Sequence, residues 1–487
     1  MGASFDPDAI TLPSGHFIEG RYLAAQNEIE LRRPSDGTPY AGCPIASEEV
    51  VDRAVSAANE ALRSSGWATL RPRERTVAMQ RWADLIEAET ETMARLESLA
   101  STRPIAQTLS VDVPVTIEQI RFFAELSDKE GGLLAPTADC HVGMIASEPF
   151  GVVGAIVPWN VPLSSAGWKI GPALAAGNAI VLKPSELTPF STLYLAELSV
   201  RAGLPAGLIN IVLGDGTTTG SAISRHPGIG KVSFTGSTRA GSAVMEDIAR
   251  TGVKPVTLEL GGKSPQIVFA DADLDLAADC VARSILANAG QACVAGSRLI
   301  VAESVAPAVI EAVASKMKAV RLGPTWDEAT DFPPIISENQ LARIEQIVQR
   351  AQASGAKILI GGFRLDRRGW YYQPTILANV TPQSEAVCQE IFGPVLTVET
   401  FRDEEEALAL ADHPTYGLAA GIYTRDLSRA LRVTKRIQSG TVWVNRYSRS
   451  RDHILPTGGY KRSGIGKDLG REAFLANRRQ KTILIDL

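Results

Sequence analysis

From residue 151 onward, short apolar runs alternate with helical segments, and this alternation restricts the chain to few folds. The runs are GVVGAIV, NAIVLK, INIVLG and KVSFTG. Between them lie stretches such as TPFSTLYLAELSVRAG, where Thr188 is expected to cap a helix with Pro189 at its first position. Strands separated by helices imply βαβ units and a mostly parallel sheet. A second alternation starts at PQIVFA, passes through LDLAADCVARSILANAG and RLIVAE, and continues to TVWVN at 441–445. The expectation is an α/β chain with two such domains, divided near Gly261-Gly262.

The first 130 residues read as mostly helical. Val50, Val51, Ala54, Val55, Ala58 and Leu62 recur at helical spacing, with Ser47 as N-cap. A second helical pattern runs from about Arg73 to Leu99, and CHVGMIASEP reads as a strand after the Gly131-Gly132 break. A chain of 487 residues, 45% hydrophobic, has room for two to four domains and sizeable cores. A net charge of -5 gives no reason to expect nucleic acid or an anionic membrane as partner. No run is apolar enough for a secretory signal or a membrane helix, and Asp6 stands where a myristoylation motif wants Ser or Thr. The five cysteines are far apart with no C-x-x-C, so neither a disulfide framework nor a metal site is expected. A cytoplasmic location is expected.

Two segments suggest a nucleotide. Strand KVSFT leads into Gly236-Ser237-Thr238-Arg239-Ala240-Gly241 and then a helix. Such a turn presents backbone N–H groups and a helix N-terminus to phosphate. Thr238 replaces the middle glycine of the dinucleotide pattern, so by itself this is equally an ordinary βα turn. In NAIVLKPSE, Lys183 and Glu186 stand just past a strand end, where a carboxylate can accept from both ribose hydroxyls. Taken alone, Lys-x-x-Glu is more often a surface ion pair.

Three further residues can carry chemistry. Cys293 follows an apolar helix in Gly290-Gln291-Ala292-Cys293; most intracellular cysteines are inert buried hydrophobes. Glu259 stands in LELGGKSP, where two glycines expose backbone beside a carboxylate. Asn160 ends VPWN, a position that turn residues commonly fill.

Together, PWN (158–160), KPSE (183–186), SFTGST (233–238), ELGGKSP (259–265), GQAC (290–293), EIFGPV (390–395) and GGYKRSGIG (458–466) resemble the aldehyde dehydrogenase superfamily. Each motif is modest; their order and spacing over nearly the whole chain are specific. The resemblance implies NAD as cofactor and a thioester mechanism. Cys293 would attack the aldehyde, Asn160 and the Cys293 N–H would hold the oxyanion, and Glu259 would activate water. Lys169 would assist in proton relay or in tuning the local charge. Cofactor contacts are implied for Pro158, Trp159, Lys183, Ser185 and Glu186. Further ones are implied for Gly216, Gly236, Ser237, Gly241, Leu260, Glu390 and Phe392. The implied architecture has a Rossmann-like NAD domain (1–130 and 150–261), a catalytic domain (262–461) and a β oligomerisation element (131–149 and 475–487), giving a homodimer or homotetramer. A coenzyme A-acylating relative, or a non-catalytic protein of the same fold, are the alternatives; Glu259 argues against the first, and its joint presence with Cys293 and Asn160 against the second.

The chain also departs from the family pattern. STRP (101–104) replaces an acidic-Gly-Lys-Pro turn, and Thr457 stands where Phe is usual. The implied substrate-lining positions are Val161, Trp168, Ala292, Val294, Arg449, Arg451 and Thr457. The arginine-rich loop Asn445–Asp452 suggests a polar aldehyde or semialdehyde held through its carboxylate. Solvated arginines, or ones paired with Asp452 and neighbouring subunits, are the commoner outcome.

Overall fold

The computed structural model describes residues 2–24 and 28–487. Helix α1 (Glu48–Ser65) starts where the Ser47 side chain accepts from the Val50 N–H and ends at Gly66, whose φ of 65° is left-handed. It buries Val51, Ala54, Val55, Ala58 and Ala61, one helical face. The periodic stretch after Arg73 is two helices, α2 (Pro72–Ala88) and α3 (Thr90–Ala100), which part at Glu89. Helix α4 (Val113–Leu126) follows and packs against α2.

The first large sheet is built on five parallel strands: β1 (Val152–Ile156), β2 (Ala179–Lys183), β3 (Ile209–Ile211), β4 (Lys231–Thr235) and β5 (Val256–Glu259). All residues of β1 to β4 are buried, as a sheet covered on both faces requires. The spatial order is β3-β2-β1-β4-β5, extended by antiparallel strands His16–Ile18 and Arg21–Leu23 at one edge and Gly464–Ile465 at the other. The order reverses between β1 and β4, which creates a crevice at their carboxyl ends. Helix α5 (Pro162–Ala175) follows β1, α6 (Phe190–Arg201) follows β2 and α7 (Thr238–Thr251) follows β4. Contrary to the sequence reading, α6 starts after Pro189. The Thr188 hydroxyl is buried with no hydrogen-bond partner, so it does not cap the helix.

At Leu260–Ser264 the chain leaves this sheet for a second one. Strands β6 (Pro265–Val268), β7 (Arg298–Ala302), β8 (Thr375–Ala378), β9 (Val395–Phe401), β10 (Ala419–Tyr423) and β11 (Thr441–Val444) lie in the order β8-β9-β7-β6-β10-β11, all parallel. Helix α8 (Leu274–Leu286) connects β6 towards β7. A third sheet pairs Arg478–Asp486 antiparallel with His141–Pro149, which also pairs with Leu133–Ala135. The strand expected in CHVGMIASEP is thus present, and its partner is the C-terminal segment of the same chain. Among the described residues, no helix is long and apolar enough to cross a membrane.

Candidate active site

The crevice between β1 and β4 opens into a cleft of about 610 Å³. From the β1 side it is lined by Pro158, Trp159, Asn160 and Val161, and from α5 by Ser165 and Trp168. Positions 165 and 168 fall on one face of that helix. From the β4 side come Gly236, Ser237, Thr238 and Arg239, and from the end of β5 come Glu259, Leu260 and Gly261. Cys293 closes the floor, and Gln340, Arg343, Glu390, Phe392 and Tyr416 supply the opposite wall. Residues far apart in the chain therefore meet in one cavity.

Cys293 follows a strained turn. After α8, Asn288, Ala289 and Gly290 have φ of 51°, 53° and 71°. Two of these are non-glycine residues in the left-handed region, a conformation held only by surrounding contacts. A buried amide network provides them. Asn288 Nδ2 donates to the carbonyls of Asn160 (2.9 Å) and Gln291 (3.2 Å), and Thr102 Oγ1 donates to Asn288 Oδ1 (2.7 Å). Asn160 Nδ2 donates to the Gln291 carbonyl at 2.9 Å. Gln291 is itself held through Pro334 and Ile336. Thr102 belongs to STRP, so that segment braces the turn before Cys293. Glycine is required at 290, where a Cβ would lie 2.2 Å from the Gly393 carbonyl.

Burial pushes the Cys293 thiol up to about 11; the positive charge of Arg449 opposes this. Glu259 is buried, its Oε1 has no hydrogen-bond partner, and desolvation followed by repulsion from Asp468 raises its carboxyl to about 8. A carboxyl held this high takes and gives protons near neutrality. Behind it, Lys169 Nζ donates to Asp468 Oδ2, both side chains buried. Lys231, buried nearby, is lowered to about 8, chiefly by desolvation. Asp468 was not singled out from sequence, since a Lys-Asp pair after a glycine turn reads as surface; tertiary pairing with Lys169 across 299 positions is what buries it.

The cofactor-type residues divide. Gly236, Ser237, Leu260, Glu390, Phe392, Pro158 and Trp159 line the cleft. Ser237 Oγ caps α7 by accepting from the Ala240 N–H (3.2 Å), which aims a helix N-terminus at the cavity. Glu390 Oε1 accepts from the Gly262 N–H (2.9 Å), and burial raises its carboxyl to about 7. Phe392, at φ 56°, meets Trp159 edge-on with centroids 5.2 Å apart. Gly241 does not face the cavity; it lies beneath Leu260, where a Cβ would come within 2.5 Å of Cδ2. Lys183 is buried and donates to the carbonyls of Pro184 (2.9 Å) and Gly214 (2.7 Å), 3.5 Å from Glu186, which is one-third exposed. Ser185 Oγ accepts from the Leu187 N–H, and Gly216 is exposed at the start of a short helical turn. These four lie outside the cleft lining.

The substrate-type residues divide as well. Val161 and Trp168 line the cleft. Ala292 packs against the core below β7, and Val294 uses its carbonyl to accept from Tyr447 Oη (2.9 Å). Arg449 and Thr457 line a neighbouring hollow rather than the cleft, and Arg449 reaches the cleft only through Trp168, whereas Arg451 turns away to Glu118 and the Ser110 carbonyl. Arg451 is thus not a cleft residue, and its partner is Glu118 rather than Asp452. Sequence reasoning also missed Gln340 and Arg343, which grip the carbonyls of 390–392 from a distant helix.

The aldehyde dehydrogenase family model matches residues 22–483. The chain belongs to the aldehyde dehydrogenase family. An NADP/NAD-dependent aldehyde dehydrogenase of Escherichia coli is 41% identical over 474 residues, covering 97% of this chain and 95% of that protein. The indole-3-acetaldehyde dehydrogenase of P. syringae, solved with NAD+ and IAA, superimposes with a TM-score of 0.96 at 38% identity, covering 99% of this chain and 98% of that one. A cytosolic 10-formyltetrahydrofolate dehydrogenase of Xenopus tropicalis is 38% identical over 488 residues, but this chain spans only 54% of its length. Relatives that this chain covers almost end to end are thus themselves aldehyde dehydrogenases.

Proposed function

We propose that the chain oxidises a polar aldehyde to its carboxylic acid with NAD, through a thioester on Cys293 that water hydrolyses. The observation that carries this reading is the convergence of Cys293, Asn160 and Glu259 on one cleft that also receives the α7 N-terminus and Glu390. The cleft fits a dinucleotide. It lies at the switch point of a parallel sheet, offers a capped helix N-terminus for phosphate, and holds a carboxylate at Glu390 suited to ribose hydroxyls. When bound, NAD supplies the two-electron acceptor.

The remaining roles belong to this chain. Cys293 gives up its thiol proton to solvent and Sγ adds as the thiolate to the aldehyde carbon, while the Asn160 amide and Cys293 N–H stabilise the developing oxyanion. After oxidation the acyl group stays on Sγ. Glu259 takes a proton from water, the water oxygen attacks the thioester carbon, and the Cys293 thiol leaves. Lys169 with Asp468 sets the charge behind Glu259 and offers it a proton exit. Glu186, just past the end of β2, disfavours a 2′-phosphate. Residues 1–130 and 150–261 form the cofactor domain and 262–461 the catalytic domain; 131–149 with 475–487 serves assembly into a homodimer or homotetramer. A cytoplasmic setting agrees with five cysteines that are all free. The test is to mix the purified protein with NAD and an aliphatic aldehyde, without coenzyme A. NADH absorbance with free acid as product is expected; no NADH with any aldehyde, or a requirement for coenzyme A, overturns the reading.

A further inference from the structure

The loop before Gly458 carries three arginines, and the fold treats each differently. Arg446 is exposed and reaches only the Ser448 carbonyl at 3.4 Å. Arg451 is neutralised by Glu118 at 3.3 Å and donates to the Ser110 carbonyl at 2.7 Å, so it fastens the loop to the helical layer. Arg449 is half-buried, its guanidinium 5.1 Å from the centroid of the Trp168 ring, and its Nη2 donates to Thr457 Oγ1 at 2.8 Å. Trp168 is itself a wall of the Cys293 cleft.

Arg449 differs from the buried arginines elsewhere in the fold. Arg103 is paired with Asp112, Arg298 with Glu399, and Arg33 with Asp8 and Asp36. Arg75 lacks a carboxylate but fills its donors with the carbonyls of Ala175, Trp67 and Leu70. Among the described residues, no carboxylate pairs with Arg449, and the bond to Thr457 uses one of its five N–H donors. The Trp168 face and the Thr457 hydroxyl hold the guanidinium plane in place before any ligand arrives, which cuts the ordering cost of binding. The cleft wall on the helix that carries Trp168 is polar as well, since the Ser165 hydroxyl is buried there without a partner.

We infer that Arg449, held by Trp168 and Thr457, is the specificity-determining residue that binds a carboxylate at the end of the aldehyde substrate remote from its carbonyl. The inference rests on the proposed role of Cys293 and adds to it the substrate class, an ω-carboxy aldehyde. A planar fork of N–H donors matches a carboxylate bidentately, and a lysine would not. The charge of Arg449 also favours the Cys293 thiolate. That effect is common to every aldehyde that reacts with the thiol, so it cancels in a ratio of two substrates.

The test compares kcat/KM for ω-carboxy aldehydes and uncharged aldehydes of equal chain length, over a series of lengths. Wild type is expected to prefer the charged substrate at one length. Arg449→Gln should lower that preference by about 10–100-fold, the range of a charge-assisted hydrogen-bonded pair, mainly through KM. Arg449→Lys should recover part of it, and Thr457→Val should lose part of it. Circular dichroism and melting temperature establish that each variant is folded. A second readout needs no turnover: glutarate, but not pentanoate, should protect Cys293 of wild type from iodoacetamide, and Arg449→Gln should abolish the difference. Equal preference for both substrates in wild type, an unchanged ratio in Arg449→Gln, or equal protection by the two acids overturns the inference. If neutral aldehydes also fail to yield NADH, the proposed reaction fails instead, and the protection assay still decides the role of Arg449.

Discussion

Cys293 and Glu259 are chemically unready as they stand, and their environments say how each is made useful. Burial disfavours both charged forms, so each group is held neutral until a step requires otherwise. Cys293→Ala is expected to abolish aldehyde oxidation while leaving NAD binding intact, measured by NADH formation and by calorimetric titration. For Glu259 the sign follows from the raised pKa. In the proposed role the active base is the carboxylate, which is scarce below about pH 8 and dominant above it. Deacylation should therefore rise nearly ten-fold per pH unit at acidic pH and level off beyond about 8. Glu259→Gln should lose about 10²–10⁴-fold in steady-state rate and flatten the profile. Stopped-flow should show a burst of NADH, with an acyl-enzyme visible by mass spectrometry; steady-state turnover at the wild-type rate in Glu259→Gln would remove Glu259 from the mechanism. Glu186 bears on the cofactor. A 2′-phosphate beside it would meet a like charge, worth from about 1 kcal/mol in water to several near a protein surface. NAD is expected to give the higher kcat/KM, and parity with NADP would contradict the role of Glu186.

At the scale of elements, Cys293 stands at the end of a turn that local sequence does not favour. Asn288 and Ala289 occupy left-handed backbone, and the cost is met by a side-chain network reaching back to Thr102 on the segment after α3. Thr102→Val removes the donor to Asn288 Oδ1 and leaves a buried acceptor unpaired, at a cost of about 1–3 kcal/mol. Calorimetry should show a lower melting temperature. Because Asn288 also holds the Asn160 carbonyl, kcat should fall with it. A variant that melts and turns over like wild type would show that the network is dispensable. The α7 N-terminus is built by similarly close packing: Gly241 lets Leu260 lie against the helix, bringing the end of β5 and the start of α7 to the same cleft.

At the scale of the whole molecule, the chain crosses from the first large sheet to the second at Leu260–Ser264, and Leu260 and Gly261 of that crossing line the cleft. The third sheet is separate from the two large ones and exposes Leu133, Leu134, Leu484 and Ile485, while β11 leaves an open edge on the second sheet. Exposed apolar strands and free edges are surfaces that proteins cover by pairing. Light scattering is expected to give a mass of two or four times 51.9 kDa. A stable monomer at working concentration would refute assembly through these edges.

The alternation of apolar strands and helices, the Ser47 cap and the succession of short motifs were legible in the chain because each depends on neighbours within a few positions. They were enough to predict two parallel sheets and to select Cys293, Glu259 and Asn160. The split of one long periodic stretch at Glu89 and the uncapped start of α6 at Phe190 were not legible, because packing overrides local propensity at such junctions. Nor could local sequence say which of three neighbouring arginines packs on Trp168, a wall of the cleft. Arg449 and Arg451 are two positions apart, yet one meets Trp168 and the other Glu118. The same holds for Asp468, whose burial beside Lys169 comes from a contact across 299 positions. Motifs of a few residues record what the backbone must do locally. Charge pairing, burial and the direction of a side chain are settled only when distant segments meet, since each depends on the dielectric and the partners that the assembled fold supplies.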